Sequence, residues 1–192
     1  MNKTTRIGFL GGFLAIFLIT IFYLTRPQML VEGYTWLKQL VFLGAIIYGL
    51  AQMRENSVQA PNIKALAASQ KEAKPTDHSK DFVGFTELLA NGVKIYLIGY
   101  FLTFLYIYLL FNFIDTDLVE LVKDHTVRLN IQLKDPKISA LRFEEQLAEL
   151  RKQDFSPRLT DLISVMGMVE IILGFLMSFI VALFLRREQP TA

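Results

Sequence analysis

SPRLTDLISVMGMVEIILGFLMSFIVALFLRR, residues 156–187, decides the fold. Ser156-Pro157 reads as a helix start: a Ser N-cap, then Pro at the first helical position, where its missing N–H costs nothing. Residues 162–185 form a run of 24 with one formal charge, Glu170, closed by Arg186 and Arg187. About 20 apolar residues cross a bilayer core, so a transmembrane helix is expected over 157–185, with room to tilt. Gly167, Gly174, Ser178 and Ala182 fall on one helical face with Glu170 beside them. That face is expected to be the seam on which the other membrane helices pack.

Composition agrees with a membrane chain. The 192 residues suffice for one domain, and 53% are hydrophobic, in blocks too long for an ordinary soluble core. The absence of cysteine excludes disulfides and thiolate metal sites. His78 and His125 are far apart and have no ligand partner at i+4. Basic and acidic residues are interspersed in every polar segment, so no nucleic-acid-binding face is expected. No phosphate-cradling loop, zinc motif or nucleophile elbow occurs. No cofactor, no metal and no catalysis are expected.

Ahead of the terminal run, residues 7–24 are uncharged and follow Lys3 and Arg6. The run is longer than a signal-peptide core and lacks a small-residue cleavage site, which predicts a retained first span over about 7–25. Gly8 and Gly12 give it a small-residue face. Arg26-Pro27 ends it. A second span is expected over 34–53, with Tyr34 and Trp36 in the interfacial belt, Lys38 snorkelling from one turn in, and Arg54-Glu55 as the stop. Residues 55–81 read as a polar loop that includes His78, in which 62–74 can form a short helix, capped by Asn62 and ended before Pro75.

A third span, 86–114, is unusually aromatic. Tyr96, Tyr100 and Thr103 share one of its faces, which suits either a polar pathway or helix–helix hydrogen bonding with interfacial anchoring. Residues 115–155 are expected to form an extramembrane helical hairpin broken at Asp135-Pro136. One stripe would carry Leu118, Leu121, Val122, Leu129 and Leu133, with His125 on it; the other would carry Ala140, Phe143, Leu147 and Leu150. The expected fold is therefore all-α: an integral membrane bundle of four transmembrane helices with an amphipathic helical hairpin between the third and fourth. Basic residues near the span ends (Lys3, Arg6, Arg54, Arg186 and Arg187) favour both termini in the cytoplasm.

Glu170 is the residue from which chemistry could arise. A charge at bilayer depth costs about 2.5–3.5 kcal/mol on insertion scales, so such residues face the protein interior and find partners. Counting along antiparallel helices makes Thr103 and Tyr106 candidate partners, and Lys38 enters from the same side. Two readings follow. Glu170 ties helices together beside the small-residue seam, in a structural or regulatory protein working through helix–helix or partner contacts. Alternatively it is the proton or cation site of a small oligomeric transporter. Glu170→Gln separates them, since a tie should tolerate it and a proton site should not. The expected partners are the lipid bilayer and either a second copy of the chain or another membrane protein.

Several motifs form a familiar set: Gly33-Tyr34, Arg54-Glu55, Phe85-x-x-Leu88-Leu89, Tyr108-x-x-x-Asn112-Phe113-Ile114-x-x-Asp117, Glu170-x-x-x-Gly174-x-x-x-Ser178 and the terminal Arg pair. Together they resemble the bacterial membrane proteins of the domain-of-unknown-function 4199 family, over almost the whole chain. The resemblance implies a four-pass protein of the bacterial inner membrane and transfers no catalytic residue. Residues 69–80 stand out from the family pattern as an insertion.

Overall fold

The apolar runs fold as long helices. The structure, a computed structural model, describes residues 2–31, 36–68, 83–133 and 140–185. Among the described residues there are helices and no strands: α1 (Lys3–Thr25), α2 (Gln28–Val31), α3 (Leu37–Ala68), α4 (Phe85–Leu109), α5 (Asp117–Gln132), α6 (Ala140–Lys152) and α7 (Val165–Leu185). A π-helical turn, Leu110–Ile114, prolongs α4, and a 3-10 turn, Leu159–Ile163, precedes α7. Gly33-Tyr34, residues 69–82 of the polar loop, the Asp135-Pro136 break and the Arg186-Arg187 pair lie outside the described residues.

Among the described residues, three segments, Lys3–Thr25, Phe85–Ile114 and Gly167–Leu185, are long and apolar enough to cross a membrane. The helix α3 is not among them. Its uninterrupted apolar run is residues 40–51, flanked by Lys38-Gln39 and by Gln52. At 1.5 Å per residue that run covers about 18 Å, short of the ~30 Å hydrocarbon core. It also continues as helix to Ala68, so residues 55–61 are helical where a loop was expected, and 62–68 are helical as part of α3 instead of a separate short helix. Strong helix formers (Ala60, Lys64, Ala65, Leu66, Ala67) carry it past Pro61.

The central helix is α4, which packs on α1, α3 and α7. It runs parallel to α1: the Thr4 hydroxyl donates to Asn91 Oδ1 (2.9 Å) at one end, and Thr20 meets the Tyr106 hydroxyl (2.7 Å) at the other. Helices α3 and α7 run the opposite way, with Leu50 and Ser178 both against Gly92 and Phe42 against Gly99. Asn2 and Leu185 therefore lie at the same end of the bundle, and α5 and α6 lie beyond the other. Close approach is set by small residues. A Cβ on Gly12 would stand 3.2 Å from the Gly99 Cα, and one on Gly92 2.9 Å from the Ser178 Cβ. Around these contacts Ile7, Phe42, Ile46, Leu50, Ile95 and Val181 form the core.

Helix α5 is held from two sides. Leu118 packs with Leu30, Leu110 and Phe111 at the end of the bundle, while Val127 packs with Phe143 and Leu147 of α6. The two lie nine residues apart, half a turn round the wheel at about 100° per residue. The single stripe expected from sequence is thus split. Leu129 and Leu133 follow the face of Leu118 past the end of the bundle and remain 40% and 78% exposed.

The expected helix start at Pro157 is corrected to Val165. The Asp161 carboxylate accepts the Arg158 backbone N–H (2.7 Å), closing the 3-10 turn, and Ser164 is extended (ψ 172°). Ser164 then serves as the true N-cap, its Oγ facing the Gly167 N–H (3.5 Å) and its carbonyl accepting from Met168 (2.9 Å). Just upstream, the Arg158 guanidinium (2.7 Å) and then the Ser156 N–H (3.0 Å) hold the Asp154 carboxyl well below its ordinary value of 3.8. A depressed acid stabilises the fold fully above its unfolded pKa and loses that contribution as pH falls through the folded one. The turn at 154–158 should accordingly persist to below pH 3.8. The Ser156 amide cross-peak followed against pH checks this, and a midpoint at or above the ordinary carboxylate value would contradict it.

Candidate functional site

The polar cluster inside the bundle is built by three helices around Glu170, a turn and a half into α7. From the start of α3, Lys38 Nζ lies 3.0 Å from Glu170 Oε1, with the two side chains 13% and 26% exposed. The neighbouring Gln39 donates through Nε2 to Glu170 Oε2. From α4, the buried Tyr96 hydroxyl lies 3.0 Å from Glu170 Oε2 and 3.1 Å from Gln39 Oε1, one proton shared between two acceptors. The carboxylate thus meets an ammonium, an amide and a phenol. No buried side-chain nitrogen or oxygen among the described residues lacks a partner.

Local sequence explains the arrangement. Gly174 lies one turn beyond Glu170 and faces the Tyr96 ring so closely that a Cβ there would overlap it. Tyr96 is held edge-on by Phe42 (centroids 5.2 Å, 72°) and stacks on Tyr100 (6.2 Å, 11°). The phenol has no other place to point.

Of the residues singled out from sequence, the structure joins Lys38 to Glu170 and gives the other two different hydrogen-bond partners, although Thr103 lines the cavity beside Glu170. Thr103 donates to the Gly99 carbonyl of its own helix (2.9 Å), and Tyr106 pairs with Thr20. The correction is one of register. Asn112 Nδ2 donates to the Pro157 carbonyl (2.9 Å), which sets those residues level. From Asn112 back to Tyr96 is 16 residues of helix, about 24 Å; 13 residues from Pro157 to Glu170 would reach only about 20 Å if helical. The extended and 3-10 segments supply the difference and carry Glu170 to the level of Tyr96. Gln39 and Tyr96 are the participants that sequence reasoning missed. The glycine opposite an aromatic helix, one turn from the acid, was the available signal.

The seam residues are placed inside the bundle. Gly8 sits against Ile95 and Ile98, Gly12 against Gly99 and Leu102, Gly174 against Tyr96, and Ser178 against Gly92; Gly167 and Ala182 are buried. Beside the cluster a cavity of about 510 Å³ opens between α3, α4 and α7. His125 lies apart, on a polar groove with Gln28 and Asp124. His78 is outside the described residues. Among the described residues no three His, Asp or Glu side chains group as metal ligands would.

An all-α bundle with three helices of membrane-crossing length, pinned by a partly buried carboxylate–ammonium pair, defines a membrane-protein class. Residues 6–187 match the model of a family described as a protein of unknown function (DUF4199), and the chain belongs to that family. No curated protein and no solved structure matches it.

Proposed function

We propose that the chain is a four-pass protein of the bacterial inner membrane, both termini cytoplasmic, that acts structurally or as a regulator through contacts with a partner and not by catalysis. The observation that carries this reading is the saturation of Glu170: an acid already bound to Lys38, Gln39 and Tyr96 is a tie between helices. A lysine within hydrogen-bonding distance also offsets the charge that a proton or cation site would need to leave open.

The same cluster supports a fourth crossing. The charged start of α3 is expensive in hydrocarbon only while unpaired. Lys38 and Gln39 turn inward to Glu170, and the apolar face of α3 lies between α1, α4 and α7. The small-residue faces of α1 and α7 are occupied within the bundle, so a partner would meet either the outward apolar surface of its helices, where Phe13, Phe17 and Phe184 are exposed, or the hairpin, where Ile131, Leu133 and Leu141 are.

Reporter fusions test this. Fusions at the N-terminus, within 69–82 and at the C-terminus should report cytoplasm, and one within 134–139 the opposite side. Termini in different compartments would remove the four-pass reading. Proteoliposomes of the purified chain should carry no proton or monovalent-cation flux, and a flux abolished by E170Q would replace the tie with a pathway.

A further inference from the structure

The cavity beside the Lys38–Glu170 pair is not accounted for by a tie. Tyr100, Phe104 and Ile107 of α4 and Val169 of α7 form its apolar wall, and its charged residues are Lys38, Glu170 and Asp161. At about 510 Å³ it has the size of a small-molecule site, and an apolar wall with a few convergent polar groups is the usual make-up of one. We propose that it holds a phospholipid whose headgroup carries a primary ammonium, as in phosphatidylethanolamine. The proposal rests on the reading of the bundle as membrane-embedded.

Charge complementarity selects the headgroup. Lys38 and Glu170 neutralise one another at 3.0 Å, which leaves the cavity lining with the negative charge of Asp161. Arg158, the basic residue of the same turn, gives its guanidinium hydrogen bond to Asp154 at 2.7 Å; it meets the Asp161 carboxylate through its backbone N–H, and its charge acts on Asp161 through space. Lys38 Nζ keeps N–H donors beyond the one given to Glu170. An acid on one side and an ammonium on the other match a zwitterion, with the lipid ammonium on Asp161 and its phosphate toward Lys38. The first methylenes would lie on Tyr100, Phe104, Ile107 and Val169. An anionic headgroup such as phosphatidylglycerol suits Lys38 but faces Asp161 with a like charge.

The test is native mass spectrometry of the full chain in detergent, titrated with phosphatidylethanolamine or phosphatidylglycerol. Wild type should retain one phosphatidylethanolamine at about tenfold lower concentration than phosphatidylglycerol, the factor expected for one charge-assisted hydrogen bond. Asp161→Asn keeps an acceptor for the Arg158 N–H and should abolish the preference. Phe104→Trp should fill the cavity and weaken retention of both lipids. Circular dichroism of each variant shows whether it has folded. Equal retention of the two lipids by wild type, or an unchanged preference in folded Asp161→Asn, would overturn the site. Such a result with the reporter fusions as expected leaves the membrane reading standing, whereas misplaced reporters would remove its premise.

Discussion

Gly174→Ala is expected to be among the most damaging single-methyl changes available to this protein. The new Cβ would overlap the ring of Tyr96, which is 1% exposed and wedged between Phe42 and Tyr100. The ring has no room to withdraw, so α7 must move off α4. Overpacking of this kind costs roughly 3 kcal/mol or more, against about 1 kcal/mol that alanine gains in helix propensity. A net loss of about 2 kcal/mol or more should appear as a marked fall in thermal midpoint in detergent, followed by circular dichroism. Gly44→Ala is the control, because a Cβ there meets nothing within 4 Å and only the propensity gain remains. The double variant Tyr96→Ala/Gly174→Ala should cost less than the sum of the two single losses, because the clash is gone once the ring is removed. Equal midpoints for the two glycine variants would show that the α4–α7 contact is looser than described.

Breaking the ion pair from one side is expected to cost nearly as much. Removing one member of a buried pair leaves the other uncompensated, at about 3–5 kcal/mol when burial is complete. Lys38 and Glu170 retain 13% and 26% exposure, which reduces the expected cost to about 2 kcal/mol for Lys38→Met or for Glu170→Gln. Glu170→Gln is thus not the silent change that a carboxyl held by hydrogen bonds alone would permit, since Lys38 needs the charge. The double variant Lys38→Met/Glu170→Gln should cost clearly less than the sum, with a coupling of about 1–2 kcal/mol from equilibrium unfolding. Additive losses would mean that the pair does not hold the helices together.

Much of the architecture was legible in sequence because apolar length is a direct physical signal. The runs around Ile7, Phe101 and Phe175 each fold as one helix, and Arg26-Pro27 ends the first of them. Lys38 could be assigned to Glu170 because a charge so close to an apolar run has few other places to go. The partners Tyr96 and Gln39 were not legible. Their level depends on how far the chain advances between Pro157 and Val165, and no periodicity encodes an extended step at Ser164. The fate of Leu129 and Leu133 was hidden for a related reason. A stripe shows which face is apolar, and the length of the opposing surface lies elsewhere in the chain.

The tie between α3 and α7 also has a consequence for biosynthesis. Gln39 and Glu170 are 131 residues apart. At 5–20 residues per second, a ribosome completes Glu170 roughly 7–26 s after Gln39. On the four-pass reading, the least apolar of the crossing helices enters the bilayer before α7 and waits that long for its counter-ion. During the interval the Lys38 ammonium stays with the headgroups, and arrival of the last helix draws it inward.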